Sequence, residues 1–256
     1  MLKKTLIAAS AISLSAFALT ACNGEKSGDS GVAKPAEPIE AVPAPNGGDW
    51  TTTVAQSPEG GFVMGNPNAG VKLIEFGSMT CPHCREFDET GVKSLIDNYV
   101  KTGRVSYEFR NYVMNPYDMA ASVMARCAGT SGFFGMTRQL YADQPEWVAK
   151  AQGADPAQLQ ALSTMQPNQQ LAEVAKLAGF PQYAAMRGIP SAKLNACLAD
   201  VNAPSKLVQM QTDANQTYPD IAGTPAFVIN KTLLEIKPGS STWSQVEAAL
   251  KTAIGG

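Results

Sequence analysis

Two cysteines separated by two residues have the clearest chemical potential in the chain, and they lie in the segment Cys81-Pro82-His83-Cys84. The apolar residues 71–76 predict a buried strand, and the residues after the pair predict a helix. Backbone N–H groups in the first turn of a helix favour negative charge, which predicts a lowered pKa and a populated thiolate for Cys81. The imidazole of His83 adds a donor or a positive charge beside the sulfur, and Pro82 limits the backbone freedom of the turn. Since one helical turn brings both sulfurs within bonding reach, the segment predicts a redox-active pair.

Two other interpretations of the pair are weaker. A zinc site usually takes four ligands as two pairs, whereas this chain has no second cysteine pair at that spacing and only one histidine. A purely structural disulfide across so short a loop removes little entropy from the unfolded chain. Redox chemistry by the cysteines themselves is therefore favoured, and we expect neither a metal nor an organic cofactor.

The composition is that of a globular protein: of 256 residues, 45% are hydrophobic and 16% are charged. The formal net charge is −2, so there is no basic excess to neutralise phosphates. Nucleic-acid binding therefore has little electrostatic support.

The elements that must position the pair form a β-α-β unit. The strand at 71–76 and a second at 105–110 flank a helix that starts at the cysteines and ends near Gly103, with Gly91 marking a bend. Such a unit predicts two parallel strands.

The pattern then changes to a long helical block. No convincing strand occurs between about residues 115 and 218, and strand character returns at 226–229 and 233–236, before a helix at 242–253. The sequence thus predicts an α/β domain in two parts, residues 49–113 and 219–256, separated by a helical insertion at 114–218.

The N-terminal residues have the pattern of an export signal sequence. Lys3 and Lys4 precede an uncharged apolar stretch, which ends in Leu19-Thr20-Ala21-Cys22. This resembles a bacterial lipoprotein signal with its lipobox, which implies cleavage after residue 21 and acylation of Cys22. A plain secretory signal with an incidental Cys22 is the alternative.

The residues that follow predict a tether outside the cytoplasm. Residues 23–48 are rich in glycine and proline and contain no aromatic residue, which predicts a flexible, lipid-anchored linker over residues 22–48 and a folded part that begins near Trp50. A lipoprotein signal implies the periplasm, where disulfides persist. Asn23 after Cys22 weakly favours the outer membrane.

The cysteine segment resembles the active site of DsbA-like thiol:disulfide oxidoreductases of the thioredoxin superfamily. Residues 65–71 resemble the family's lead-in to its core strand, and Gly223-Thr224-Pro225-Ala226-Phe227 resembles its cis-proline loop. The resemblance implies a thioredoxin-like fold with an inserted helical domain, in the α/β class.

The resemblance also implies roles for individual residues. Cys81 is the exposed cysteine that a substrate thiolate attacks, tuned by His83, and Cys84 is its inner partner. A cis Pro225 places the Thr224 backbone where an extended substrate strand can pair with it. Glu75 would lie beneath the pair and handle the proton of the inner thiol, although a strand-edge position facing solvent is the alternative.

Two cysteines remain, Cys127 and Cys197, each beside apolar residues of a predicted helix. Some DsbA-like proteins carry a second, structural disulfide in their helical region, and an oxidising compartment favours this pairing. Two buried free thiols are the alternative.

The leading functional hypothesis is a periplasmic, lipid-anchored thiol oxidase. It passes disulfides to reduced secreted proteins, and a quinone-linked membrane oxidase reoxidises its cysteine pair. A reductase or isomerase with a restricted client set is the second hypothesis, because the resemblance associates threonine at the position of Thr224 with reducing relatives. A non-catalytic, chaperone-like binding module is the third.

Overall fold

A six-stranded mixed sheet forms the centre of the computed structural model, which describes residues 31–256. The central strands β3 and β4 are parallel, and all other neighbouring strands are antiparallel. The strands, in the order in which they lie across the sheet, are β1 (Val54–Gln56), β2 (Phe62–Gly65), β4 (Val105–Asn111), β3 (Val71–Gly77), β5 (Ala226–Ile229) and β6 (Thr232–Leu233). The predicted parallel pair and α/β class are confirmed.

The strand predictions differ from the structure at both edges of the sheet. The hairpin of β1 and β2 was not predicted, because β1 is only three residues long and carries no buried residue. At the other edge, β6 ends at Leu233 instead of continuing to 236. Short edge strands leave little periodic signal in a sequence.

The strand β3 lies at the centre of the sheet and leads into the cysteine pair. Val71 and Leu73 are fully buried, and the strand ends at Gly77. A Cβ atom at Gly77 would lie 2.6 Å from the ring of Phe109 on β4. Glycine is therefore needed where the chain leaves the sheet toward Cys81.

The cysteine helix continues through two π turns. It consists of α1 (Pro82–Phe87), a π turn at Asp88–Val92, α2 (Lys93–Leu95) and a second π turn at Ile96–Val100. Gly91 lies in the first π turn, where a Cβ atom would be 3.0 Å from the Trp243 side chain of the C-terminal helix α11 (Thr242–Ile254). The absence of a side chain at Gly91 thus lets these two helices approach closely.

The regular secondary structure between β4 and β5 is entirely helical, as predicted. Asn115 caps the first of them through a hydrogen bond from the Asp118 backbone N–H. No helix within residues 31–256 is long and apolar enough to cross a lipid bilayer. The helices of this block are α3 (Pro116–Cys127), α4 (Phe133–Ala142), α5 (Gln144–Gln152), α6 (Pro156–Leu162), α7 (Pro167–Leu177), α8 (Phe180–Met186), α9 (Ser191–Ala199) and α10 (Asn202–Thr217).

A disulfide bond joins two helices of this block. Cys127 on α3 and Cys197 on α9 are bonded in the structure, with their Cα atoms 6.0 Å apart. The bond closes a sequence separation of 70 residues, so it ties together parts of the block that are far apart in the chain.

The prediction of a flexible tether up to residue 48 is wrong for its second half. We call residues 31–48 the strap, and they lie against the domain. The Ile39 N–H donates to the Ile254 carbonyl over 2.9 Å, and Val32 and Ile39 pack against the core. A few aliphatic residues and backbone hydrogen bonds hold a segment whose composition alone indicated disorder. The predicted signal peptide at 1–21, the predicted acylation site Cys22 and the first part of the predicted tether lie outside the described residues.

Candidate redox site

Cys81 lies at the N-terminus of α1, as its N-cap residue, with Pro82 at the first helical position. The expectation that Cys81 is exposed is wrong, because the residue is only 9% exposed. Its Sγ lies 3.1 Å from the Thr224 carbonyl oxygen. The pKa of Cys81 is lowered to about 5, above all by a hydrogen bond from the Cys84 side chain, against the effect of burial. A hydrogen bond with the Thr224 side chain and the backbone N–H groups of Cys84 and His83 lower the pKa further. The sulfur is therefore a thiolate at neutral pH.

Cys84 has the opposite electrostatic character. It is completely buried, and burial raises the pKa of its thiol well above the ordinary value. The hydrogen bond to Cys81 and the negative charge of Glu75 raise the pKa further. Both cysteines are free in the structure, so it shows the reduced pair, in which one sulfur is charged and its partner holds a proton.

The side chain of His83 is 73% exposed. Its Nδ1 atom is 3.4 Å from Glu86 Oε2. The contribution of His83 to the lowered pKa of Cys81 comes from its backbone N–H, after the hydrogen bond from Cys84. That the imidazole ring of His83 itself lowers the pKa of Cys81 stays a prediction.

Glu75 lies in the interior beneath the pair, which makes the solvent-facing alternative wrong. The residue is 1% exposed, and its Oε2 accepts a hydrogen bond of 2.5 Å from the hydroxyl of Tyr107 on β4, whereas Oε1 has no protein partner. Burial raises the pKa of Glu75 to about 8, while the Tyr107 hydrogen bond lowers it and the charges of Asp88 and Cys81 raise it. Glu75 is therefore mostly protonated at neutral pH.

Tyr107 and Asp88 are members of the site that sequence reasoning missed. Asp88 lies one helical turn after Cys84, and burial raises the pKa of its carboxyl to about 6, although Arg138 nearby lowers it. Two signals could have found these residues. Asp88 follows Cys84 at i+4 on the same helix face, and Tyr107 lies beside Leu73 in the parallel register of β3 and β4.

The helical block holds the loop that presents Cys81. Asp118 on α3 is fully buried and accepts hydrogen bonds from Ser78 Oγ at 2.5 Å and from the Met79 N–H at 2.8 Å. Gln144 Nε2 donates to the carbonyls of Met79 at 2.8 Å and Cys81 at 3.0 Å. Because these partners lie 39 to 65 residues away along the chain, no local pattern indicated them.

The Thr224-Pro225 peptide bond is cis, as the resemblance implied. Pro225 immediately precedes β5, and the Thr224 hydroxyl donates to Met114 Sδ over 3.6 Å. The loop therefore faces Cys81 with a backbone carbonyl. The structure brings together Cys81, Cys84, Thr224 and, below them, Glu75, while the disulfide between α3 and α9 is a separate feature.

The architecture and the site together define a class of protein. A mixed sheet whose central strand leads to a Cys-X-X-Cys pair at a helix N-terminus, opposite a cis-proline, is the thioredoxin-type arrangement. A model of the thioredoxin family matches residues 57–252, and the chain belongs to this family.

Several known proteins are similar to this chain. A Rickettsia prowazekii protein, provisionally named a protein-disulfide oxidoreductase, is 25% identical over 171 residues, which are 66% of this chain and 54% of that protein. The chain thus spans about half the length of the curated relative it matches.

Among solved structures, a protein-disulfide isomerase from Novosphingobium aromaticivorans is 28% identical, with a TM-score of 0.69 over 76% of this chain and 97% of its own. The alpha-DsbA1 of Wolbachia pipientis has a TM-score of 0.58 at 19% identity, over 84% of this chain and 94% of its own, and shares the fold.

Proposed function

We propose that the protein is a DsbA-like thiol:disulfide oxidoreductase that introduces disulfides into other proteins through Cys81 and Cys84. The opposed pKa shifts of the two thiols carry this proposal, because the pKa of Cys81 is lowered to about 5 while that of Cys84 is raised well above its ordinary value. Such a pair has one good leaving group and one inner sulfur protected from solvent.

The reaction proceeds in two thiol–disulfide exchanges. A client thiolate attacks Cys81 Sγ of the oxidised pair, which breaks the Cys81–Cys84 bond and leaves the electron pair on Cys84. A second client thiolate then attacks the client sulfur of the mixed disulfide, which forms the client disulfide and releases Cys81 as a thiolate. The client loses two electrons, and the cysteine pair gains them.

Glu75 supplies the proton that Cys84 needs when it leaves as a thiolate. The carboxyl is protonated at neutral pH because burial raises its pKa to about 8. Tyr107 holds Oε2, which leaves Oε1 without a competing partner. In the reverse reaction the same carboxylate accepts the proton from Cys84.

The cis-proline loop is the place where the client backbone docks. Thr224 presents its carbonyl 3.1 Å from Cys81 Sγ, so a client strand beside the loop is held at the reacting sulfur. This supports an extended, unfolded client over a folded one.

Reduced secreted or periplasmic proteins are the proposed clients, and a quinone-linked membrane oxidase is the proposed partner that reoxidises the pair. We further propose acylation of Cys22 and anchoring in the periplasm, with the outer membrane favoured, on the strength of the lipobox alone. A Cys22→Ser variant that remains in the membrane fraction would contradict the anchor.

A reductase or isomerase is the second candidate. Thr224 before the cis-proline favours it, and the similar protein from Novosphingobium aromaticivorans is named a protein-disulfide isomerase. The physical argument favours oxidation, because stabilising the Cys81 thiolate stabilises the reduced pair. Each pKa unit corresponds to about 1.4 kcal/mol and raises the reduction potential by about 30 mV.

The equilibrium potential of the Cys81/Cys84 pair tests the direction. We expect a value well above that of thioredoxin, and a Thr224→Val variant should raise it further. A thioredoxin-like potential would transfer the assignment to the reductase. A Cys81→Ser variant separates both enzymes from the chaperone-like alternative. The variant should lose insulin reduction if the protein is an oxidase or a reductase, whereas chaperone-like binding of unfolded clients would persist in it.

A further inference from the structure

The strap crosses one end of the sheet, and its contacts define which end. Ile39 lies over Gly70, just before β3, so closely that a Cβ atom there would be 2.8 Å from Ile39 Cδ1. The Val42 N–H donates to the Thr102 carbonyl at 2.9 Å, just before β4, and the Val42 carbonyl accepts from the Trp50 indole at 2.7 Å.

The first described residue lies at the same end of the sheet. A Cβ atom at Gly31 would be 3.6 Å from the Thr232 methyl group, at the turn between β5 and β6. Because β5 runs antiparallel to β3, this turn lies at the start of β3. The strap therefore occupies one end, which we call the strap end.

The redox pair lies at the opposite end. Cys81 lies four residues after Gly77, the last residue of β3, and Pro225 immediately precedes the first residue of β5. The seven residues of β3 separate the two ends by roughly 20 Å, at about 3.3 Å per residue.

These positions limit how an acylated molecule can stand on a membrane. Nine residues along the chain connect Cys22 to Gly31, and they reach at most about 32 Å in any conformation. If the chain were free as far as residue 49, its reach would be about 95 Å. To bring Cys81 to the bilayer, the connection would have to run back along roughly 20 Å of the domain, more than half its full extension, at a cost in chain entropy.

We propose that the strap makes the sheet end opposite Cys81 the membrane-facing surface, so that the anchored enzyme presents its redox pair to the aqueous compartment. This inference rests on the proposed acylation of Cys22. It specifies soluble, reduced polypeptides as the clients. A partner embedded in the membrane must project a segment about 20 Å or more above the strap end to reach Cys81.

Energy transfer from the protein to the membrane tests the orientation. The full, acylated chain is placed in vesicles with acceptor dyes on the lipid headgroups, and a donor is introduced as a noncanonical amino acid at Lys231 or at Asp220. Both residues are exposed. Lys231 lies in the turn between β5 and β6 at the strap end, and Asp220 lies two residues after Tyr218, whose ring packs against Phe76 near the redox end of β3. We expect stronger transfer from position 231. Equal transfer from both positions, or stronger transfer from 220, would overturn the inference.

A released strap provides the second arm. Ile39→Asp with Val42→Pro removes the apolar contact at Gly70 and the hydrogen bond to Thr102, while Glu40→Gln changes an exposed strap residue and is the matched control. The released variant should lose the difference between the two donor positions, and the control should keep it. Insulin reduction in solution by both variants shows that the redox domain is folded. A difference that persists in the released variant would overturn the role of the strap.

A displayed client gives the functional readout. A cysteine-pair peptide attached to a lipid headgroup should be oxidised at least about tenfold more slowly than the free peptide, and the released strap should remove most of this difference. Equal rates in the acylated wild type would contradict the inference alone. Failure of the chain to float with the vesicles would instead show that Cys22 is not acylated, and the anchor would fall together with the inference.

Discussion

The hydrogen bond between the two cysteines makes the largest contribution to the thiolate of Cys81, and truncating Cys84 measures it. A hydrogen bond to a charged group contributes roughly 1.5–3 kcal/mol, which corresponds to about one to two pKa units. A Cys84→Ala variant should therefore raise the pKa of Cys81 from about 5 to about 6–7. The backbone N–H groups at the helix N-terminus remain, so the pKa should stay below that of an ordinary thiol.

The matched control is Cys84→Ser, which removes the second thiol but keeps a donor at the same position. Titration of the thiolate by ultraviolet absorbance measures the pKa directly, and at pH 5 the alanine variant should hold about fivefold to fiftyfold less thiolate than the serine variant. Circular dichroism checks that both variants are folded. If both titrate near the wild-type value of about 5, the hydrogen bond from Cys84 does not set the pKa of Cys81, and the reasoning is refuted.

Four further expectations follow from the packing and charges of the interior. Tyr107→Phe should raise the pKa of Glu75 above its value of about 8, measured by infrared titration of the carboxyl band, and an unchanged band would contradict the assigned hydrogen bond. The pKa of Glu75 is higher in the folded protein than in the unfolded chain. The contribution of Glu75 to the free energy of unfolding is therefore complete below the pKa of the unfolded chain and is lost as the pH rises through about 8. Glu75→Gln should therefore gain stability over the wild type in urea unfolding at alkaline pH, and parallel pH profiles would argue against this. Gly91→Ala should cost about 1–3 kcal/mol in urea unfolding because of its contact with the indole on α11, whereas Gly135→Ala has open space and should cost nothing. Replacing both cysteines of the disulfide between α3 and α9 by serine should lower the unfolding free energy by about 4 kcal/mol, and no change would mean that the bond does not constrain the unfolded chain.

Hydrophobic periodicity and capping residues predicted the elements whose formation depends on residues close together in the chain. The parallel pair β3 and β4, the helical block and the C-terminal helix follow from hydrophobic periodicity and helix caps such as Asn115. The strap and the β1–β2 hairpin could not be predicted in this way. Their few apolar residues are ordered by partners distant in the chain, such as the Ile254 carbonyl that pairs with Ile39.

The candidate site likewise combines features that the sequence predicts with features that depend on distant parts of the chain. The sequence by itself identified the cysteine pair, because two residues separate Cys81 from Cys84 and the helix that begins at Pro82 supplies the N–H groups that favour a thiolate. Only the tertiary structure decided that Glu75 is buried against Tyr107 and that Asp118 holds the loop before Cys81. The physical reason is that desolvation and long-range hydrogen bonds depend on what packs around a group, and strand pairing across 32 residues places the phenol of Tyr107 at that carboxyl.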